Sequence, residues 1–212
     1  MKEFNIDFLY LIQELSHSIS TLSIMVDSTF NSIDDMHQWK YEIKDEMKHL
    51  GSTLYQMRNK SMEFFILGIS KIVEDFLNNL KLLRKSDLKI WDTFCDSVIY
   101  AKEIRLIRHF SNIIKHDNSI IYIPSQNKST QIIIDTYNLT ETMPINTLDF
   151  FGYKQKETIL KHLYMANEFC FEILNLTNVY KRKKQLLLID NEIIDFMFEN
   201  YIYNIPGYPK KI

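Results

Sequence analysis

Only four glycines and four prolines punctuate these 212 residues. No other residue types interrupt regular structure as reliably, so the chain must consist of long elements with few turns. Apolar spacing says which kind. From Ile6 to Ser28, the residues Phe8, Leu11, Ile12, Leu15, Ile19, Leu22, Met25 and Val26 recur three or four apart, which predicts a first helix. Ser32-Ile-Asp-Asp offers N-cap chemistry for a second, running through Trp39, Ile43 and Met47 to Leu50, with Gly51-Ser52 ending or kinking it. A third and longer pattern covers Thr53 to about Leu83, carried by Leu54, Met57, Phe65, Ile69, Ile72, Val73, Phe76, Leu77 and Leu80. Its Phe64-Phe65-Ile66-Leu67 run is apolar on every side and marks a central helix, while Arg58-Asn59 reads as a surface pair. Ser86-Asp87 caps a fourth helix that ends near His116.

After His116 the period changes. Ser119–Pro124 and Thr130–Tyr137 are β-rich, and the polar Ser125–Ser129 joins them, which predicts a hairpin at about 119–138 packed on the helices. Pro144 and Gly152 bracket a loop. Helical spacing returns from about Lys154 to Tyr180, followed by Lys181-Arg182-Lys183-Lys184, whose charges suit the carbonyls of a helix end. A last aromatic-rich helix is expected near Asn191 to Tyr203, before the tail Ile205-Pro206-Gly207-Tyr208-Pro209. The expected fold is therefore mainly α: a bundle of five or six helices in one domain over 1–212, with a small β-hairpin insertion after the fourth helix.

Composition excludes several classes. A formal charge of -2 and a pI near 6.3 call for no bulk polyanion partner, so any nucleic-acid contact must be a local patch. Cys95 and Cys170 lie inside apolar helical patterns and read as packed thiols, which suits a reducing cytoplasm. The acidic, polar start of the chain does not resemble a secretory signal, and no window approaches about 18 uncharged apolar residues, so no membrane contact is expected. Neither HExxH nor paired zinc-spaced Cys and His occurs, and His17, His37, His49 and His162 stand apart, so no metal site is expected. The glycines of a GxxxxGKS/T phosphate loop and the elbow GxSxG are missing, and no cofactor is implied.

One segment gathers chemistry. Arg105-Leu-Ile-Arg108-His109-Phe-Ser111-Asn112-Ile-Ile-Lys115-His116 closes the fourth helical pattern. On a helical wheel Arg105, Arg108, His109, Asn112, Lys115 and His116 share an arc roughly 120° wide, opposite Leu106, Ile107, Phe110, Ile113 and Ile114. Extended upstream, that arc runs into Ile90, Trp91, Phe94, Val98 and Ala101. Either the helix breaks or rotates near Lys102 and the arc is a solvated face, or the polar groups project into a cleft or subunit interface.

Such a set can support metal-free RNA cleavage, which needs a base or acid for the 2′-OH, cations for the developing phosphorane charge and donors that hold the phosphate. His116 suits the first role, Arg108 and Lys115 the second, and Asn112 the third. Arg108, Asn112 and His116 stand at i, i+4 and i+8, which separates the first from the last by about 12 Å along the axis. Two copies pooling side chains across a twofold axis would close that gap.

Ser111-Asn112-Ile-Ile-Lys115-His116 resembles the RNxxKH-like signature of HEPN domains, which are helical, commonly dimeric proteins of toxins, prokaryotic antiviral systems and RNA-cleaving modules. In this resemblance Asn112 matches the polar residue after the family's Arg, Lys115 the residue before the His, and His116 the catalytic His. Ser111 stands at the Arg position, and Arg108, one turn earlier, is the nearest substitute. The resemblance implies a homodimeric RNase with Arg108, Asn112 and His116 at its catalytic site and Arg105, His109 and Lys115 contacting RNA. It also implies an antitoxin or defence-system protein as partner. The competing expectation is a non-catalytic helical subunit that binds a partner protein or nucleotide.

Overall fold

The computed structural model describes residues 6–37, 44–84, 98–152 and 154–176. Among them run five helices: α1 (Ile6–His37), α2 (Lys44–Arg84), α3 (Ala101–His116), α4 (Lys128–Tyr137) and α5 (Gln155–Leu176). Two short strands, β1 (Ile120–Ile121) and β2 (Met143–Pro144), pair antiparallel with Ile120 opposite Pro144 and Ile121 opposite Met143. Two 3-10 turns, Ile145–Thr147 and Asp149–Phe151, lead into α5. The mainly helical bundle with a small two-stranded element after the helix ending at His116 is the architecture expected.

α1, α2, α3 and α5 form the bundle, each packed on two or more of the others. α1 and α2 lie antiparallel: Asp34 near the end of α1 pairs with Arg58, and Asn79 far along α2 donates to Glu14. Their shared stripe holds Leu15, Ile19, Val26 and Phe30 against Met62, Phe65, Ile69 and Val73, all buried. α3 adds Ile104, Ile107, Phe110 and Ile113, and α5 adds Ile159, Leu163, Phe169 and Ile173. Each such side chain contributes about 1.5–3 kcal/mol by leaving water.

The first two helices are longer and fewer than the sequence suggests. α1 continues through Ser32-Ile-Asp-Asp to His37, because Phe30 and Ile33 extend the buried stripe by another two turns. α2 runs unbroken across Gly51-Ser52, so the stretches read as a second and a third helix are one from Lys44 onward. Within it Phe65 and Ile66 are buried as expected of a central helix, but Phe64 faces solvent. Arg58 is the outer half of its pair, whereas Asn59 is buried and accepts a hydrogen bond from Gln155 Nε2 at 3.1 Å.

The hairpin needs a larger correction. β1 lies inside the first β-rich run, but Thr130–Tyr137 is helical and the partner strand comes from Met143–Pro144. Three consecutive isoleucines (132–134) suggested a strand. What decides is the cap: Asn127 Oδ1 accepts from the Ser129 N–H at 2.9 Å, and Asn138 ends the helix in the left-handed region at φ 51. Thr130, Ile133, Ile134 and Tyr137 then face inward at three-to-four spacing, which a strand could not achieve. Phe110 ties this cap to the bundle, with ring centroids 4.8 Å from Phe150, 5.5 Å from Phe151 and 6.2 Å from Tyr137.

Cys170 is buried in α5, where burial pushes its thiol pKa up. Among the described residues no helix is long and apolar enough to cross a membrane. Cys95, the Ser86-Asp87 cap, the 181–184 basic run and the helix expected near 191–203 lie outside the described residues.

Candidate functional site

α3 begins at a break. Tyr100 adopts the left-handed conformation (φ 60, ψ 15) directly before Ala101, so α3 has its own start there. The break expected near Lys102 thus falls at Tyr100, while Ile90, Trp91 and Phe94 lie outside the described residues. The break does not leave the polar arc merely solvated. α4 lies across α3. Arg105, Arg108, His109 and Asn112 are partly buried, while Lys115 and His116 in the last turn are exposed.

The two helices meet through polar side chains. Asn112 Nδ2 donates to Ser129 Oγ at 2.9 Å, and His109 Nδ1 lies 3.2 Å from the same oxygen. One turn on, Asp117 Oδ2 accepts from Thr130 Oγ1 at 2.6 Å and from Asn127 Nδ2 at 3.1 Å. The first residues of α4 are thus held at the last turns of α3 by three side chains from each side: His109, Asn112 and Asp117 meet Asn127, Ser129 and Thr130. Ser129 is 7% exposed, so water is largely kept from this junction.

Charge gathers around it. Burial, and after it Arg108, Arg105 and Lys128, hold the His109 imidazole below its ordinary pKa, so it is neutral near pH 7. Glu74 of α2 approaches Arg108, with Oε1 4.0 Å from Nε. Ser111 points away from the cluster into the core at 0% exposure, and its hydroxyl has no hydrogen-bond partner among the described residues.

Of the six residues that the sequence singles out, the structure joins His109 and Asn112 through Ser129 and sets Arg105 and Arg108 close enough to bear on His109. Lys115 and His116 stand at the open end of the same helix. Arg108 and His116 remain two turns apart, about 12 Å along the axis, as helix geometry requires. Sequence reading missed Ser129 and Lys128. The signal was Asn127, a preferred N-cap residue opening a helical segment, which the β-branched run behind it obscured.

Among the described residues no three His, Cys, Asp or Glu side chains are grouped as a bound metal would need. A groove of about 410 Å³ between α1 and α2, floored by Leu11, Leu22, Ile72 and Phe76, contains no residue of α3. No protein-family model, curated protein or solved structure matches this chain.

Proposed function

We propose that the protein is a HEPN-like, metal-independent RNase that acts as a homodimer in a toxin–antitoxin or antiphage defence system. The observation that supports this most is the half-fixed polar face of α3. His109 and Asn112 are held on Ser129, while His116 and Lys115 on the same helix stay open to solvent. A plain solvated face has no need to order its polar groups, whereas a site that must meet a phosphate benefits from it. In this reading His116 transfers the proton, Arg108 and Asn112 face the charge that builds on the phosphorane, and Arg105, His109 and Lys115 contact the RNA backbone. A twofold partner supplies the group that one helix holds too far away.

The test is incubation of purified protein with total RNA in EDTA. Wild type should cleave, and His116→Ala should lose about 10²-fold or more with unchanged stability, since His116 is exposed. Intact RNA with wild type, or cleavage that survives His116→Ala, would overturn the assignment.

One observation favours the non-catalytic alternative, a HEPN-like subunit that binds a partner protein or nucleotide. The residue at the family's Arg position, Ser111, is buried and cannot reach an RNA. A protein of that kind keeps RNA intact, tolerates His116→Ala and co-purifies with its partner.

A further inference from the structure

Ser129 couples His109 to Asn112 through a single hydroxyl. A serine hydroxyl can accept two hydrogen bonds and donate one. Ser129 is nearly buried, so those capacities should be met inside the protein. Asn112 Nδ2 donates to Oγ at 2.9 Å, and His109 Nδ1 stands 3.2 Å away. Were the imidazole proton on Nδ1, Oγ would accept twice, and its own hydrogen would have no acceptor among the hydrogen bonds that Ser129 makes. If instead Ser129 donates to Nδ1, the hydroxyl hydrogen has its acceptor, and the capacity left over is an oxygen lone pair, which costs less to bury than an unmet donor. The imidazole proton then belongs on Nε2, making the free side of the ring a donor.

The surroundings favour an anion at that donor. Arg108, Arg105 and Lys128 all bear electrostatically on the ring. The nearby carboxylate of Asp117 is turned to Thr130 and Asn127, and Glu74 Oε1 stands 4.0 Å from Arg108 Nε.

We infer that Ser129 is a positioning residue that fixes His109 as its Nε2–H tautomer, and that His109 with Arg105, Arg108 and Lys128 binds a phosphodiester of RNA two helical turns before His116. The ligand assignment rests on the RNase reading above. The tautomer does not.

The experiment is a long-range ¹H–¹⁵N spectrum of the imidazoles in the full-length ¹⁵N-labelled protein. It is titrated first with inorganic phosphate and then with an RNA oligonucleotide made uncleavable by 2′-deoxy substitution. His109 should show the Nε2–H pattern and shift saturably with both ligands. Ser129→Ala should mix the tautomers and weaken oligonucleotide binding about tenfold, the worth of one hydrogen bond. Ser129→Thr, which keeps the hydroxyl, should restore both. An Nδ1–H pattern in wild type overturns the inference with no variant needed, as do His109 signals that neither ligand moves. A response to phosphate without one to the oligonucleotide assigns a small phosphate ligand and overturns the RNA assignment. Intact RNA in EDTA beside a saturable oligonucleotide response removes the RNase reading and leaves the binding site standing. Cleavage with unmoved His109 signals removes the site alone.

Discussion

His162 shows how one side chain can couple the core to pH. It lies buried on α5 with Nδ1 2.7 Å from the Thr158 carbonyl, so Nδ1 carries a proton and donates, and its ring sits 5.0 Å from that of Phe150. Burial lowers its pKa. The Thr158 carbonyl and Glu103 work against that shift, and Lys161 works with it. His109 is lowered too, by burial first and then by Arg108, Arg105 and Lys128. For both, the folded state holds its proton less tightly than the unfolded chain does. The stability from keeping them neutral is therefore complete above the ordinary imidazole range and is lost as pH falls through it towards the lower folded values. Thermal unfolding should show a midpoint that drops on mild acidification, and His162→Gln, which can still donate to Thr158, should flatten the drop. An unchanged slope in that variant would exclude His162 as a source. At this scale the sequence was a partial guide. Arg58 and Asn59 look alike as neighbours in a polar pair, but one pairs with Asp34 at the surface and the other lies beneath it against Gln155. Nothing local tells a buried asparagine from an exposed one, because the partner comes from another helix.

Helices were the most legible elements, and their ends the least. The start of α1, the long stripe of α2, the core face of α3 and the span of α5 all follow from three-to-four spacing, which survives any context. Ends depend on chemistry that can go either way. Gly51 suggests a stop or kink by its residue type, yet it sits inside α2, exposed, where an added Cβ would meet nothing within 4 Å. Gly51→Ala should therefore stabilise the protein by roughly 0.8–1 kcal/mol, the helix-propensity difference, seen as a higher urea midpoint at constant slope. Gly68 is the contrast that makes this a statement about surroundings. A Cβ there would stand 2.9 Å from Leu22 Cδ2, so Gly68→Ala should fall short of that gain as α1 and α2 are pushed apart. Equal gains at both positions would show that propensity alone governs α2. The same dependence on context hid half of the candidate site. The polar arc of α3 was visible because it is a pattern within one helix. Ser129 was not, since it reaches His109 and Asn112 only when Thr130–Tyr137 is a helix, and that helix is fixed by Asn127 and Asp117 rather than by its own isoleucines.

The described residues combine a bundle of four helices with a cap of α4, two strands and two 3-10 turns, joined where Phe110 meets Phe150, Phe151 and Tyr137. Composition and periodicity made the bundle legible. The cap was legible only as an interruption, because its pairing of Ile120–Ile121 with Met143–Pro144 spans residues that carry no common signal. A homodimer is the level at which the proposed chemistry would be complete, and it makes a prediction that neither a single helix nor a monomer can satisfy. Arg108 and His116 are about 12 Å apart along α3, so each site would take Arg108 from one copy and His116 from the other. Arg108→Ala and His116→Ala proteins should each be inactive alone. Unfolded together and refolded as an equal mixture, about half of the dimers would hold one copy of each. Such a dimer has one site with both groups intact and one with neither. The mixture should then recover about a quarter of wild-type RNA cleavage in EDTA, while either variant refolded alone recovers none. A monomer that carries out the whole reaction would gain nothing from mixing. Nor would a dimer whose sites each draw both residues from the same chain, since every site would still lack one of them.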